Sequence, residues 1–369
     1  MRRHAPFFIL RASDFFDAQR GWLVSGGNGR RRDFLRAAAS TLAVPSLCMA
    51  AAEPWRNPQR VTLALAARQS LYHLPLTLAE QLGFFRQAGI QIEWSVHESG
   101  AKALASAVQG QADVVAAAFD HLLGLQHRGL NFQAFVLTGR TPQLSLGVAS
   151  RRDLPSMLAL KGARFGVTSI DSSTYWLTCQ WLLQNGLLPE DVVFVEVGTS
   201  ALAVEALRSG AIDALCQPDP VMYGLEQRNE VRVVGDARTL MGTRKLMGGA
   251  VPGGCLLART DFLQRQPDIV QALSDAVVHA LKWLQTAGLT DILKTVPTAH
   301  WSGDRAHYLG AFEKLRESYA LDGLIASDAV LSAWHAHARL PARLLGPRQG
   351  LALTYTNTFA LKSKSRFSA

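Results

Sequence analysis

The feature that most constrains this chain is a pattern that occurs twice, one hundred residues apart. Ser99-Gly-Ala-Lys-Ala-Leu-Ala-Ser-Ala-Val-Gln-Gly-Gln-Ala-Asp113 aligns with Thr199-Ser-Ala-Leu-Ala-Val-Glu-Ala-Leu-Arg-Ser-Gly-Ala-Ile-Asp213, with Ala101/Ala201, Ala103/Ala203, Gly110/Gly210 and Asp113/Asp213 identical. Each copy reads as a helix closed by glycine and followed by a strand. Alone, the match admits two unrelated amphipathic helices. The order of elements around it decides for a duplication.

Ahead of the first copy, 61–66 is a short apolar run, Leu78, Leu82 and Phe85 recur at helical spacing, and 90–96 alternates at period two. The copy itself adds a helix near 101–109 and a strand at 113–118. The second series repeats this with strands at 165–168, 192–197 and 212–216 and helices at 174–184 and 201–209. A βαβαβ order implies a parallel sheet covered by helices on both faces. The fold class is therefore α/β, with two similar parallel-sheet lobes. Two further apolar, strand-like runs, 144–149 and 254–258, flank the second lobe, so the chain is expected to cross over and back. This assigns 53–147 to lobe 1, 148–250 to lobe 2, and 251–369 to a return to lobe 1 with C-terminal helices. Two crossings make a hinge, and a ligand cleft forms where loops beyond the strand ends of both lobes face each other.

The chain carries 38 Lys+Arg against 29 Asp+Glu, a formal charge of +9, which raises the question of nucleic acid. Eight Arg and three Asp fall in residues 1–52, leaving 30 basic and 26 acidic residues beyond them. The body shows no basic stripe with interleaved aromatics, so no nucleic-acid partner is expected. The N-terminal charge has its own explanation. Arg30-Arg31-Arg32-Asp33-Phe34-Leu35-Arg36 precedes sixteen uncharged residues, 37–52, which end in Ala50-Ala51-Ala52. A basic region, a short apolar region and a small-residue cleavage site read as an export signal, too short and too diluted by Ser, Thr and Pro to span a bilayer. Arg31-Arg32-Asp33-Phe34-Leu35-Arg36 resembles the twin-arginine signal, which implies a mature chain from Glu53 exported to the periplasm. Beyond the signal remain Cys179, Cys216 and Cys255. Each sits among apolar neighbours, none is paired by a C-x-x-C spacing, and all three are expected as buried free thiols.

Four segments together resemble the periplasmic solute-binding proteins of ABC importers, in the nitrate/sulfonate/taurine branch. They are Leu74-Pro-Leu-Thr-Leu-Ala-Glu-Gln-Leu-Gly-Phe-Phe85, Leu160-Lys-Gly-Ala-Arg-Phe-Gly-Val167, Leu207-Arg-Ser-Gly-Ala-Ile-Asp-Ala214 and Tyr355-Thr-Asn-Thr-Phe359. The likeness covers nearly all of residues 58–360. It implies a two-lobed periplasmic-binding-protein fold, a small anionic ligand, an ABC transporter permease as partner, a monomer, and no cofactor.

The loops at the lobe ends supply the candidate ligand contacts. Ser172, Ser173 and Thr174 bring hydroxyls to the start of an uncharged helix that opens with Tyr175, where free N–H groups suit an oxyanion. Capping of that helix by the same hydroxyls is the alternative. The resemblance implies that this loop holds the ligand's anionic group. From lobe 1, Tyr72 and His73 offer stacking or hydrogen bonding, and Ser99 with Gly100 opens the next helix. Asp120 follows a strand and either caps a helix or faces the cleft. Gln217 and Asp219 end the last lobe 2 strand, where Asp219 either caps the helix starting near Val221 or meets a ligand's ammonium group. Gly249, near the second crossing, lets backbone approach a ligand or lets the hinge flex.

The competing class is an enzyme. The sequence contains no G-x-S-x-G, H-E-x-x-H, Walker A or G-x-G-x-x-G pattern, and His73, His97, His121 and His127 have no metal-ligand spacing. Thiamine-pyrimidine synthases share the implied fold, but their cysteine-rich motif has no counterpart here. A ligand sensor of the same fold is the other alternative.

Overall fold

A computed structural model describes residues 58–199, 201–301, 303–340, 345 and 347–369. The paired arginines and the apolar run behind them lie outside these residues. The first sheet contains β1 (Gln59–Ala66), β2 (Ile90–His97), β3 (Val114–Ala118) and β4 (Phe132–Leu137). The second contains β5 (Leu144–Ala149), β6 (Arg164–Val167), β7 (Val193–Glu196), β8 (Ala214–Pro218) and β9 (Val231–Asp236). After it the chain returns as β10 (Gly254–Arg259), a strand of the first sheet.

The strand orders are β2-β1-β3-β10-β4 and β7-β6-β8-β5-β9. In each sheet the three strands of the expected βαβαβ unit pair in parallel. The crossing strand then enters antiparallel, β10 between β3 and β4, β5 between β8 and β9. Both sheets are thus mixed, four strands in one sense and one against it. The last strand of each, β4 and β9, joins only through the crossing strand.

The duplicated segment performs the same local job in both sheets. Asp113 Oδ2 accepts from the Thr62 amide at 2.9 Å, and Asp213 Oδ2 accepts from the Arg164 amide at 2.9 Å. Each carboxylate thus pins the start of the third strand of its βαβαβ unit to the first strand of that unit. Gly110 and Gly210, three residues earlier, have φ of 77° and 81° and close the preceding helices in the left-handed region that favours glycine.

Helix Gly100–Val108 packs on β1 and β3, and helix Ser173–Gln184 packs on β5 and β8. The latter has no charged residue and buries eight of its side chains, so it is a core helix rather than an amphipathic one. Cys179, Cys216 and Cys255 are buried thiols outside any disulfide, as their neighbourhoods suggest. The C-terminal region is less confined than the expected return to lobe 1. Helix Pro267–Thr286 does pack against β4 and against helices Leu74–Gln81, Phe84–Gln87 and Thr358–Phe367. Helix Arg305–Leu315, however, reaches helix Val221–Gln227, and helix Ser327–His337 reaches helices Ser173–Gln184 and Leu240–Met247 of lobe 2. Glu317 accepts from the Leu240 amide at 2.9 Å, and Gln180 donates to the Ala336 carbonyl. The C-terminal segment therefore straps both lobes. Among the described residues, no helix is long and apolar enough to cross a membrane.

One surface cluster gives the fold a defined acid limit. Arg208 donates two hydrogen bonds to Glu230, at 2.7 and 2.8 Å, and Arg228 donates a third at 2.7 Å. The bonds from Arg208 lead in bringing the Glu230 carboxyl down to about 2, against the opposing effect of partial burial. A depressed folded-state pKa contributes stability that is complete above the unfolded value, near 4.5, and is lost as pH falls toward 2. Glu230→Gln is expected to flatten the stability curve between these limits, measured by denaturant unfolding at stepped pH. An unchanged acid limb would show that Glu230 is not part of it.

Candidate functional site

The C-terminal ends of β1, β3, β6 and β8 converge on a cavity of about 70 Å³ between the two sheets. This is where open α/β sheets place ligands, because strand ends leave backbone groups and helix starts facing one space. Lobe 1 lines it with Ala66, Ala67, Ala116, Ala117 and Ala118, whose small side chains leave the room, and with Tyr72, His73, Gly100 and His121. Lobe 2 contributes Leu144, Thr168, Ser172, Ser173, Thr174, Thr199 and Pro218.

The hydroxyls at the start of helix Ser173–Gln184 divide their work. Ser172 is the extended N-cap; its Oγ accepts from the Tyr175 amide at 3.4 Å and donates to the Ser169 carbonyl at 2.6 Å. Thr174 Oγ1 accepts from the Thr168 amide at 2.9 Å and lies 2.9 Å from Thr168 Oγ1 and 2.7 Å from Ser172 Oγ. Capping therefore holds for Ser172, and Thr174 belongs to a buried hydroxyl chain. Ser173 points across the cleft and donates to Asp120 Oδ1 at 2.9 Å. Ser99 caps its own helix by accepting from the Lys102 amide at 3.1 Å, and its Oγ also accepts from Ser169 Oγ of the other lobe at 2.9 Å. Both bonds run directly from one lobe to the other, and the one from Ser173 starts at the cavity wall.

On the lobe 1 side, Tyr72 donates its amide to Ser70 Oγ at 3.1 Å, and its ring packs edge-on against His73. The Tyr72 hydroxyl is buried and has no hydrogen-bond partner among the described residues. Burial, with the nearby Cys255 and Asp120, pushes this phenol well above its usual range, so it meets a ligand as an O–H donor. Burial, helped by the charge on Arg68, brings His73 down to about 3 against a hydrogen bond with the Ala66 backbone. Its ring is neutral at physiological pH. None of the described residues lining the cavity is a Lys or Arg.

The loop that carries Tyr72 is held from lobe 2. The Asp219 carbonyl accepts from Ser70 Oγ at 2.9 Å and from the Leu71 amide at 3.0 Å, while Tyr319 donates its hydroxyl to the Leu71 carbonyl at 2.9 Å. The Asp219 side chain points elsewhere. Its Oδ1 accepts from the Tyr223 amide at 2.8 Å, the capping role, and both carboxylate oxygens lie 3.4 Å from the fully buried Arg238. Asp236 and Glu226 also bond Arg238, at 2.7 and 3.0 Å, and Lys314 of the C-terminal strap stands 3.2 Å from Glu226.

Of the residues singled out in the sequence, Tyr72, His73, Gly100, Ser172, Ser173 and Thr174 line the cavity. Ser99 does not line it and bonds Ser169 of the other lobe instead, and Asp120 lines a second, smaller chamber of about 20 Å³ that shares Ser173 with it. Tyr175 packs its ring against Phe194 at 4.6 Å, away from the cavity. Gln217 is buried and donates to the Gly198 carbonyl at 2.7 Å. Asp219 belongs to the ion cluster, and Gly249 packs against Ser332 of the C-terminal strap. The sequence reading missed Thr168 and Thr199, which follow strands, and Pro218, which ends one, all open to the same reasoning, and Leu144, which begins one. It weighed His121 only as a metal ligand. The contribution of Ala333 and His337 to the second chamber depends on the strap and has no local signal.

Residues 56–295 match the NMT1-like family. A protein from Bordetella bronchiseptica RB50 of solved structure is 38% identical, with a TM-score of 0.80 over 84% of this chain and 98% of that one. The alkanesulfonate-binding protein SsuA from Xanthomonas axonopodis pv. citri, bound to MOPS, is 20% identical, with a TM-score of 0.63 over 82% of this chain and 100% of that one. The periplasmic nitrate-binding protein NrtA from Synechocystis PCC 6803 is 12% identical, with a TM-score of 0.64 over 83% and 88%. The latter two share the two-lobed periplasmic-binding-protein fold seen here. No curated protein matches the sequence.

Proposed function

The chain belongs to the NMT1-like family, and from that premise we propose that it is the extracytoplasmic substrate-binding component of an ABC importer, capturing a small oxyanion-bearing ligand between its lobes. The observation that carries this is the cavity itself. It is lined by both lobes, sits at the strand ends, and meets the starts of helices Gly100–Val108 and Ser173–Gln184, whose N–H groups favour negative charge. The sulfonate- and nitrate-binding neighbours support the same ligand class. The proposal includes a permease partner, a monomeric binder that returns its ligand chemically unchanged, and periplasmic delivery through the twin-arginine signal near Arg31-Arg32.

A thermal-shift series with nitrate, sulfate, alkanesulfonates and short carboxylates tests the binding role. A ligand that binds only the folded state raises the melting temperature by mass action, by an increment corresponding to about 2.7 kcal/mol at one hundred times Kd. At least one oxyanion is expected to do so and to be recovered intact. No shift across the series would refute oxyanion capture, and turnover of the bound compound would move the protein to the enzyme class.

A further inference from the structure

We infer that Asp219 is a positioning residue for the cavity: from lobe 2, its carbonyl holds the lobe 1 turn that carries Tyr72 and His73, and so sets the gap between that wall and the helix start at Ser173. This deepens the reading above, and its consequence for binding rests on it. Its consequence for Tyr72 needs no ligand.

The starting point is the turn itself. Ser70, Tyr72 and His73 all line the cavity, and they belong to a single short turn, Leu71–His73, capped by Ser70. Ser70 Oγ accepts from the Tyr72 amide at 3.1 Å, and the Ser70 carbonyl accepts from the His73 amide at 3.0 Å. One turn of this tight kind has little stiffness of its own. What fixes it comes from the other lobe. The Asp219 carbonyl accepts from Ser70 Oγ at 2.9 Å and from the Leu71 amide at 3.0 Å, which uses both of its lone pairs. Asp219 directly follows Pro218, the last residue of β8 and itself part of the cavity wall.

The carbonyl is held in its turn. Asp219 Oδ1 accepts from the Tyr223 amide at 2.8 Å, and both carboxylate oxygens lie 3.4 Å from Arg238 Nη1. Arg238 is gripped by Asp236, which accepts from its Nε at 2.9 Å and its Nη2 at 2.7 Å. The circuit closes through the C-terminal strap. Ser318 Oγ donates to the Arg238 carbonyl, and the adjacent Tyr319 donates its hydroxyl to the Leu71 carbonyl at 2.9 Å. Arg140, in the segment that crosses to lobe 2, donates its amide to the Ser318 carbonyl at 2.7 Å. Leu71, Asp219, Arg238 and Ser318 are fully buried, so water does not compete for these bonds, and polar networks of this kind are rigid when every member is satisfied. The ion pair by itself accounts for stability. It gives no reason for a carbonyl to meet two donors from the facing lobe, and that feature ties the pair to the cavity wall.

Ring-carbon NMR spectra of tyrosine-labelled, ligand-free protein test the inference first. The chain has six tyrosines, and Tyr72→Phe assigns the resonance of interest. Asp219→Ala removes the carboxylate that orients the carbonyl, and the Tyr72 signal is expected to shift and broaden. Asp219→Asn keeps the side-chain shape and the acceptor for the Tyr223 amide, and should restore most of the wild-type signal. Tyr319→Phe releases the turn from its other side without altering a residue that lines the cavity, and should move the Tyr72 signal as Asp219→Ala does. Glu230→Gln, which lowers stability from the surface of the same lobe, should leave that signal in place. Isothermal titration with ethanesulfonate and nitrate reads the consequence. Kd is expected to weaken roughly two- to tenfold in Asp219→Ala and in Tyr319→Phe, the range set by one hydrogen bond, and to stay at its wild-type value in Glu230→Gln. A Tyr72 signal unmoved in Asp219→Ala and Tyr319→Phe, an equal shift in Glu230→Gln, or wild-type affinity in both turn-releasing variants would overturn this inference and leave oxyanion capture standing. A wild type that binds neither probe would count against oxyanion capture, and the Tyr72 resonance would decide the positioning role by itself. Tyr319→Phe decides the matter even if Asp219→Ala does not fold.

Discussion

Arg238→Met is expected to cost about 3–5 kcal/mol of folding stability, the range for removing one partner from a buried ion pair. Arg238 and Asp219 are each fully buried, with 0% side-chain exposure. Burial opposes the charge on Arg238, and Asp236, Asp219 and Glu226 outweigh it, so the guanidinium stays ionised. Asp219 feels the other side of this balance. Burial raises its carboxyl above the usual range, and Arg238 is the chief influence restraining that rise. Removing the guanidinium leaves three carboxylates facing Lys314 alone. Denaturant unfolding should show the midpoint falling with little change in slope. The loss should shrink as pH falls, because the unpaired carboxylates take up protons in the folded state. The double variant Arg238→Met/Asp219→Asn should recover part of it. A single-variant cost below about 1 kcal/mol would mean that the carboxylates are not confined as their burial indicates.

Gly253→Ala should be the most damaging single-methyl change at the crossings. Gly253 donates to the Gly139 carbonyl at 2.8 Å, and Thr138 and Gly139 donate to the Gly254 carbonyl at 2.7 and 3.0 Å, so the outward and return segments are bonded to each other. A Cβ at Gly253 would overlap the Thr141 carbonyl oxygen and lie 2.7 Å from its carbon, with the Gly139 oxygen at 3.0 Å. These neighbours are backbone and cannot swing aside. Separating the segments is expected to cost about 1–3 kcal/mol. It should also weaken ligand binding, since Phe119, next to Asp120, donates its amide to the Gly253 carbonyl at 2.9 Å. Gly253→Ala with wild-type melting and affinity would show that the crossings have slack.

Much of this architecture was legible in the sequence because the information is local. The period-two run at 90–96 and the repeated helix-Gly-strand unit needed only their own residues. β4 and β9 were not found, although 132–137 is apolar, because each owes its place to a crossing strand that arrives from the other side of a lobe boundary. The site divides the same way. Tyr72, Gly100 and Ser172 follow strands or begin helices, and that position is visible in the chain. Asp219 was rightly open to a capping role, but its second partner, Arg238, is nineteen residues away and on another strand's end, where no pattern points to it. The strap was assigned to lobe 1 because the run at 254–258 brings the chain back to that lobe; its grip on lobe 2 is a tertiary fact.

The antiparallel entry of β5 and β10 also sets an order of assembly. All five strands of the second sheet come from one continuous stretch, Leu144 to Asp236, so that lobe has its complete sheet before the rest of the chain is made. The first sheet has no such independence. β3 and β4 are neighbours in sequence but never bond each other, because the place between them belongs to β10, more than a hundred residues downstream. During synthesis the older lobe therefore waits for the younger one to be finished, and its exposed strand edges wait with it. A chain released before residue 254 has a complete second sheet and an unfinished first one, the sheet whose lobe carries the Tyr72 wall of the cavity.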